Sequence, residues 1–163
     1  MYTVDTEIVR ILDQLDREHA GDPWHGSPLR DVLAGIDWQQ ASARPLAGAH
    51  SIWEIVLHMT AWKHEVRRRV GGAPAGLPAE GDWPRPAAPG PEAWREALAA
   101  LEAAHEALVT AIGGLKEKTL FEPTNDPRVR ETGQGVSYYV LLHGIVQHDV
   151  YHSGQIALLK KAL

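Results

Sequence analysis

The last segment of the chain, from residue 137 to its end, has the apolar spacing of a long amphipathic helix. At about 100° per residue, one face of that helix holds side chains separated by three or four positions. Such a stripe is typical of a helix buried in a bundle, and two of its positions are histidine instead of leucine. The stripe consists of Leu141, Ile145, His148, His152, Ile156, Leu159 and Leu163.

The two stripe histidines predict a metal site. His148 and His152 are four residues apart, so both rings project from one side of the helix and can close on one ion. The alternative is a pair of core histidines, each bonded to a backbone or carboxylate partner. His143 lies five residues before His148, on the opposite side of the helix, and is expected at the surface or in packing.

Three further segments have helical periodicity. They are residues 3–19, a helix that starts at the capping box Ser51-Ile-Trp-Glu54, and a helix from Pro91 to Gly113. A short extra helix is expected near residues 28–36, while residues 71–90 and 116–136 read as Pro- and Gly-containing loops. No segment has a strand pattern. The sequence therefore predicts an all-α, four-helix bundle with long crossover connections, in a single domain over residues 1–163.

Composition excludes several classes of function. The chain of 163 residues has no cysteine, so a metal site must use imidazole and carboxylate. The formal net charge of −5 argues against nucleic-acid and anionic-membrane partners. No apolar run approaches the ~20 residues of a membrane span, and the N-terminal sequence lacks the pattern of a signal peptide. We therefore expect a cytoplasmic protein.

A third metal ligand is expected from the second helix. His58 stands about 70° from the centre of its apolar stripe, with Glu54 one turn before it and Trp62 one turn after. It is the natural partner of the histidine pair, and the alternative is a boundary histidine bonded to Glu54. His105, on the seam of the third helix, is a core histidine, a ligand, or a residue next to the ligands.

A site of His58, His148 and His152 suits Zn²⁺ or Ni²⁺ and leaves a coordination position for water or substrate. Such an ion can lower the pKa of bound water or hold a thiolate nucleophile. No residue stands out as a general base. The side chains expected to contact the ligands or line the pocket are Glu54, Trp62, His105, Asp149, Tyr151 and Gln155, with Asp149 placed about 100° off the seam.

At these residues the chain resembles the DinB/YfiT-like family of metalloenzymes. The resemblance is carried by Pro23-Trp-His-Gly26, by the segment from His50 to His58 with Trp62, and by His148-Asp-Val-Tyr-His152-Ser-Gly-Gln155-Ile. It implies a four-helix bundle with a long crossover and a divalent metal on the same three histidines. It also implies a homodimer, and a reaction between a low-molecular-weight thiol and an electrophilic small molecule. The family name refers to induction by DNA damage and is no evidence of DNA binding.

Three interpretations of the function are open at this point. The protein is either a metal-dependent enzyme or a non-catalytic, metal-stabilised stress-response bundle or binding module. A fourth ligand from the protein, such as Glu54 or His105, favours the second reading, and an open position favours the enzyme. A third reading has no metal, with the histidines bonded to Glu54, Asp149 and backbone.

Overall fold

The structure, a computed structural model, describes residues 6–126 and 136–163. Over these residues it contains six α-helices, one short 3₁₀ helix and no strand beyond an isolated bridge between Pro123 and Ser137. The all-α prediction is confirmed. The helices are α1 (Glu7–Ala20), α2 (Leu29–Leu33), α3 (Trp38–Ser42), α4 (Ile52–Val70), α5 (Pro91–Gly113) and α6 (Tyr138–Lys161), and the 3₁₀ helix spans Glu117–Phe121.

Local sequence signals set the ends of the long helices. The Ser51 hydroxyl accepts a hydrogen bond from the Glu54 amide at 3.2 Å, and the Glu54 carboxylate accepts from the Ser51 amide at 2.9 Å. This capping box starts α4 where it was predicted, because it satisfies amides that have no partner inside the helix. Pro91 opens α5 and Ser137 caps α6.

The four long helices form a bundle in which α1 and α6 run one way and α4 and α5 the other. Glu7 faces His143 near the start of α1 and α6, at 3.3 Å. Trp53 and Trp94 pack at the start of α4 and α5, with ring centroids 5.2 Å apart. Because α4 and α5 are parallel, residues 71–90 must return along the whole bundle, which is the long crossover that the sequence predicts.

The bundle interior has two apolar clusters with a polar layer between them. One cluster is built around Trp53, Leu101 and Ile156, and the other around Leu15, Leu108 and Leu142. Each long helix contributes at least one buried polar side chain at the boundary between the two clusters or at the end of one of them. The buried polar side chains of this layer are Glu18, His19, His58, Lys63, His105, Asp149 and His152.

Several predicted boundaries shift. Helix α1 begins at Glu7 because Thr6 caps it, accepting from the Val9 amide at 3.4 Å; the first three residues of the predicted 3–19 helix lie outside the described residues. The segment near 28–36 holds α2 alone, and a second capping box at Asp37 and Gln40 starts the unpredicted α3. The predicted loop 116–136 contains the 3₁₀ helix, and its residues 127–135 lie outside the described part.

The buried face of α6 also differs from the predicted stripe. Asp149, expected about 100° off the seam, is fully buried, whereas His148 keeps 25% of its side chain exposed and Leu163 is exposed. The reason is a buried cation on α4, Lys63, which pairs with Asp149 and turns that side of α6 inward. No described helix is long and apolar enough to cross a membrane.

Candidate metal centre

Three histidines from two helices meet at the polar layer. His58 of α4 and His148 and His152 of α6 each bring one ligand atom, and these atoms lie within 4.8 Å of one another. The Nε2 atoms of His58 and His148 are 3.0 Å apart. Ligand nitrogens of a tetrahedral zinc site are roughly 3.3 Å apart at Zn–N bonds of ~2.0–2.1 Å. Small ring shifts would therefore let the cluster close on one ion.

The first ring, His58, is fixed by the crossover. Its Nδ1 lies 2.5 Å from the carbonyl oxygen of Asp82. A carbonyl only accepts, so Nδ1 carries the proton and Nε2 keeps its lone pair for the cluster. The Asp82 carboxylate accepts from the Trp62 indole at 2.8 Å and holds this part of the crossover in place.

The ring of His152 is fixed in the same way from within α6. Its Nδ1 lies 2.7 Å from Oε1 of Gln155, so Nδ1 donates to an amide oxygen and Nε2 is again free. An acceptor on Nδ1 is the arrangement that metal-binding histidines use to hold ring orientation and tautomer. Two of the three rings are thus already set for ligation through Nε2.

The third ring, His148, faces a carboxylate. Its Nδ1 lies 3.7 Å from Oδ1 of Asp149, and both atoms are buried without a hydrogen-bond partner. Unpaired buried polar atoms are unfavourable. On the opposite edge of the ring, Nε2 points at Nε2 of His58. Because His58 presents a lone pair there, His148 must either donate a proton to it or share a cation with it.

Burial keeps the rings in the form that binds metals. Burial lowers the pKa of His58, and it lowers the pKa of His152 to about 4. Both imidazoles are therefore neutral at pH 7, and a ligating histidine must be neutral. The protein presents these nitrogens as lone-pair donors without a competing proton.

The crossover covers the cluster with an aromatic stack. Trp83 lies flat on His58, with centroids 3.8 Å apart and planes at 8°, and His50 lies on the other face of Trp83 at 3.6 Å. Trp83 therefore shields one side of the cluster. The partly exposed His148 marks the side through which a small molecule can reach it.

A fully buried ion pair lies directly behind His148. Lys63 of α4 pairs with Oδ2 of Asp149, and neither side chain is exposed. Burial opposes ionisation of Asp149, but Lys63 and His148 together outweigh it and lower the pKa of that carboxyl. Nearby, Glu18 is 1% exposed, and burial together with the Asp149 charge raises the pKa of Glu18 to about 8.

The other side of the polar layer holds a second histidine pair. His19 of α1 and His105 of α5 stack with centroids 3.8 Å apart and planes at 9°. Their Nε2 atoms face carboxylates at the surface, Glu102 at 3.0 Å and Asp16 at 3.1 Å. Burial lowers the pKa of both imidazoles, that of His105 to about 3.

The structure separates the candidates that the sequence grouped around the site. Trp62, Asp149, Tyr151 and Gln155 contact the histidine cluster or lie beside it. The Glu54 carboxylate bonds to Ser51 and Arg44 instead of His58, accepting from Arg44 at 2.5 Å. His105 contacts His19 and Asp16 instead of the cluster.

Four residues around the cluster were not predicted from the sequence. Asp82 and Trp83 lie in a crossover without periodicity, where no pattern relates position to contacts. Lys63 and Glu18 did carry a signal, because each continues an apolar seam at helical spacing, after Met59 and Leu15 respectively. A charge at a seam position predicts a buried partner on a facing helix.

A surface cavity of about 770 Å³ lies elsewhere, along the outer face of α1. Its lining includes Leu12, Asp13, Asp16 and Val109, and none of the three clustered histidines. It therefore contributes no substrate pocket to the candidate metal centre.

Comparison with known proteins places this arrangement in a family. The family model described as the DinB superfamily matches residues 24–156, which is most of the chain and includes the crossover and the three histidines. No curated protein and no solved structure matches the chain. The matched length and the helical bundle support one assignment, which confirms the resemblance seen in the sequence. The chain belongs to the DinB superfamily.

Proposed function

We propose that the protein binds one divalent metal ion, Zn²⁺ or Ni²⁺, through His58, His148 and His152, and uses it to activate a small thiol or water. One observation carries the proposal: three ring nitrogens from two helices lie within 4.8 Å of one another. The acceptors on Nδ1 of His58 and His152 add to it, because they orient both rings for ligation through Nε2. A ligand set that contains neutral imidazoles and no thiolate suits these two ions.

The reaction class follows from the three-ligand set. A bound ion of this kind lowers the pKa of a water or thiol that occupies its remaining position. The chain's own residues orient the site: Trp83 excludes solvent on one side, and His148 borders the accessible side. An electrophilic small molecule as the second substrate rests on the family resemblance.

The two candidates for a protein-derived fourth ligand are occupied elsewhere. Glu54 is bonded to Arg44 and Ser51, and His105 is paired with Asp16. This supports the enzyme over the non-catalytic, metal-stabilised module, because a structural site would close its coordination with protein.

Turnover by the metal-loaded protein tests the proposal. The Zn²⁺- and Ni²⁺-loaded forms are assayed with several low-molecular-weight thiols and an electrophile panel, and with ester substrates for hydrolysis. We expect metal-dependent turnover that H152A abolishes and that H64A retains, since His64 is about half exposed and outside the cluster. Stoichiometric metal binding without turnover on any thiol or ester would favour the non-catalytic module.

A homodimer and a cytoplasmic location stay predictions. The homodimer rests on the resemblance and the location on the composition of the chain. Sedimentation velocity of the purified protein, with one species at twice the mass of the 163-residue chain, would support the dimer, and a monomer at high concentration would contradict it.

A further inference from the structure

We propose that Lys63 and Asp149 act together as the positioning unit of the candidate metal centre, holding His148 in the orientation and tautomer that ligation through Nε2 requires. The inference rests on the proposed metal function. It adds a residue of α4, Lys63, that bonds to Asp149 rather than to any of the three histidines and controls one of them through that carboxylate.

The first step is the pattern of acceptors around the cluster. Nδ1 of His58 faces the Asp82 carbonyl, and Nδ1 of His152 faces the Gln155 amide oxygen. Nδ1 of His148 faces Oδ1 of Asp149 at 3.7 Å. All three Nδ1 atoms thus point at an oxygen acceptor, and the third pair needs only a short displacement to form the same bond.

The second step is the buried, unpaired state of that third pair. His148 Nδ1 and Asp149 Oδ1 are both inaccessible and lack a hydrogen-bond partner. A buried donor and acceptor left unpaired are unfavourable, so the two atoms gain from bonding to each other. A bond between them would place the proton on Nδ1 and leave Nε2 as the ligand atom.

The third step is the role of Lys63. Its ammonium holds Oδ2 of Asp149, which leaves Oδ1 as the oxygen available to His148. Both Lys63 and Asp149 are completely buried, and an isolated carboxylate at such a place would be strongly unfavourable. Lys63 therefore fixes the rotamer of Asp149 and balances its charge.

A second buried ion pair on α4 provides a matched comparison. Arg69 donates to Glu65 at 2.7 Å, and both are buried. This pair flanks Val66, in the part of the helix that packs on the second apolar cluster. R69M removes a buried cation of α4 that bonds none of the three histidine acceptors. Arg69 also covers the Trp62 ring at 5.6 Å, and the methionine side chain retains an apolar contact there.

The variants for the test are K63M, D149A, the double variant K63M/D149L and the control R69M. Zn²⁺ affinity is measured by competition with a chromophoric chelator. The tautomer of His148 is measured by ¹⁵N NMR of metal-free H58A, which lacks the ring that otherwise accepts a proton from Nε2 of His148. We expect K63M and D149A to bind Zn²⁺ about 10- to 100-fold more weakly, the range for loss of a partner of a ligating histidine. R69M should bind like the wild type.

The double variant separates positioning from folding. Replacing both members of a buried ion pair by apolar residues usually restores stability, so K63M/D149L should fold even where a single variant does not. We expect its Zn²⁺ affinity to stay about 10- to 100-fold low despite that recovery. Wild-type affinity in the double variant would overturn the inference.

The NMR measurement keeps the inference distinct from the proposed function. We expect metal-free H58A to show His148 protonated at Nδ1, and H58A/D149A to show the mixture typical of an unconstrained ring. If the wild type binds no metal but H58A has this tautomer, the proposed function fails and the positioning role stands. If H58A and H58A/D149A give the same tautomer, the positioning role is wrong, whatever the metal affinity.

Discussion

The Nε2 atoms of His58 and His148 lie 3.0 Å apart, although 90 positions separate the two residues in the chain. His58 donates its single ring N–H, at Nδ1, to the Asp82 carbonyl, so its Nε2 presents a lone pair to His148. Two ring nitrogens this close must share either a proton or a cation. His152, with its ring centroid 4.4 Å from that of His148, supplies the further nitrogen that makes a cation the better partner.

The stack of Trp83 on His58 predicts a fluorescence signal for metal binding. Ni²⁺ held by the cluster would quench an indole stacked on one of its ligands at 3.8 Å. We expect Ni²⁺ to quench part of the tryptophan emission of wild type. W83F should lose the share that comes from Trp83 and keep the share from Trp62, whose ring lies 6.2 Å from that of His148. W24F is the matched control, because Trp24 is fully exposed. Undiminished quenching in W83F would contradict the placement of the crossover over the site.

The stacked histidines predict a loss of stability on the acid side. His105 has a folded pKa of about 3, below the ~6.5 of an unfolded histidine. The unfolded chain thus binds more protons than the folded protein between these values. The contribution of His105 to the free energy of unfolding is therefore complete above pH 6.5 and decreases as the pH drops toward 3. Each such group contributes a slope of at most ~1.4 kcal/mol per pH unit.

Urea unfolding at several values between pH 5 and pH 7 checks this slope. H105L removes one of the buried imidazoles, and we expect a flatter dependence of the unfolding free energy on pH than in wild type. H64L, at a half-exposed histidine, should keep the wild-type slope. Equal slopes in H105L and wild type would mean that His105 is not held neutral by burial.

Glu18 predicts the opposite behaviour on the alkaline side. Its folded pKa is about 8, above the ordinary value, so the folded protein binds more protons than the unfolded chain between pH 4.5 and 8. The contribution of Glu18 to the free energy of unfolding is complete below about pH 4.5 and is lost as the pH rises toward 8. The E18Q side chain has nearly the shape of the protonated carboxyl group, but it does not titrate.

Thermal unfolding of E18Q and wild type should therefore diverge as the pH is raised from 5 to 8.5. We expect E18Q to gain melting temperature relative to wild type over that range. E106Q, at an exposed position of α5, is the control and should track wild type. A constant difference between E18Q and wild type at all pH values would contradict the raised pKa of Glu18.

Much of the fold could be predicted because the four long helices carry their own signals. Apolar residues at helical spacing mark α1, α4, α5 and α6, and the Ser51 capping box marks the start of α4. The spacing of His148 and His152, with His58 at the edge of its stripe, was enough to predict which rings converge. These features depend on periodicity within one helix, which sequence records directly.

The pairings within the polar layer could not be predicted, because they depend on how the helices are rotated against each other. Asp149 reads as off the seam when α6 is taken alone, and only Lys63 on α4 makes its burial favourable. The same holds for His19 and His105, whose stack joins α1 to α5. Trp83 and Asp82 reach the site through a crossover whose course no periodicity describes.

Metal content of protein purified without a histidine tag tests the central claim most directly. After dialysis against Zn²⁺ and then metal-free buffer, elemental analysis should find about one ion per chain in wild type and in H64A. H58A, H148A and H152A should each lose most of it. Wild type that retains no ion, or a triple H58A/H148A/H152A variant that retains as much as wild type, would contradict the three-histidine metal centre.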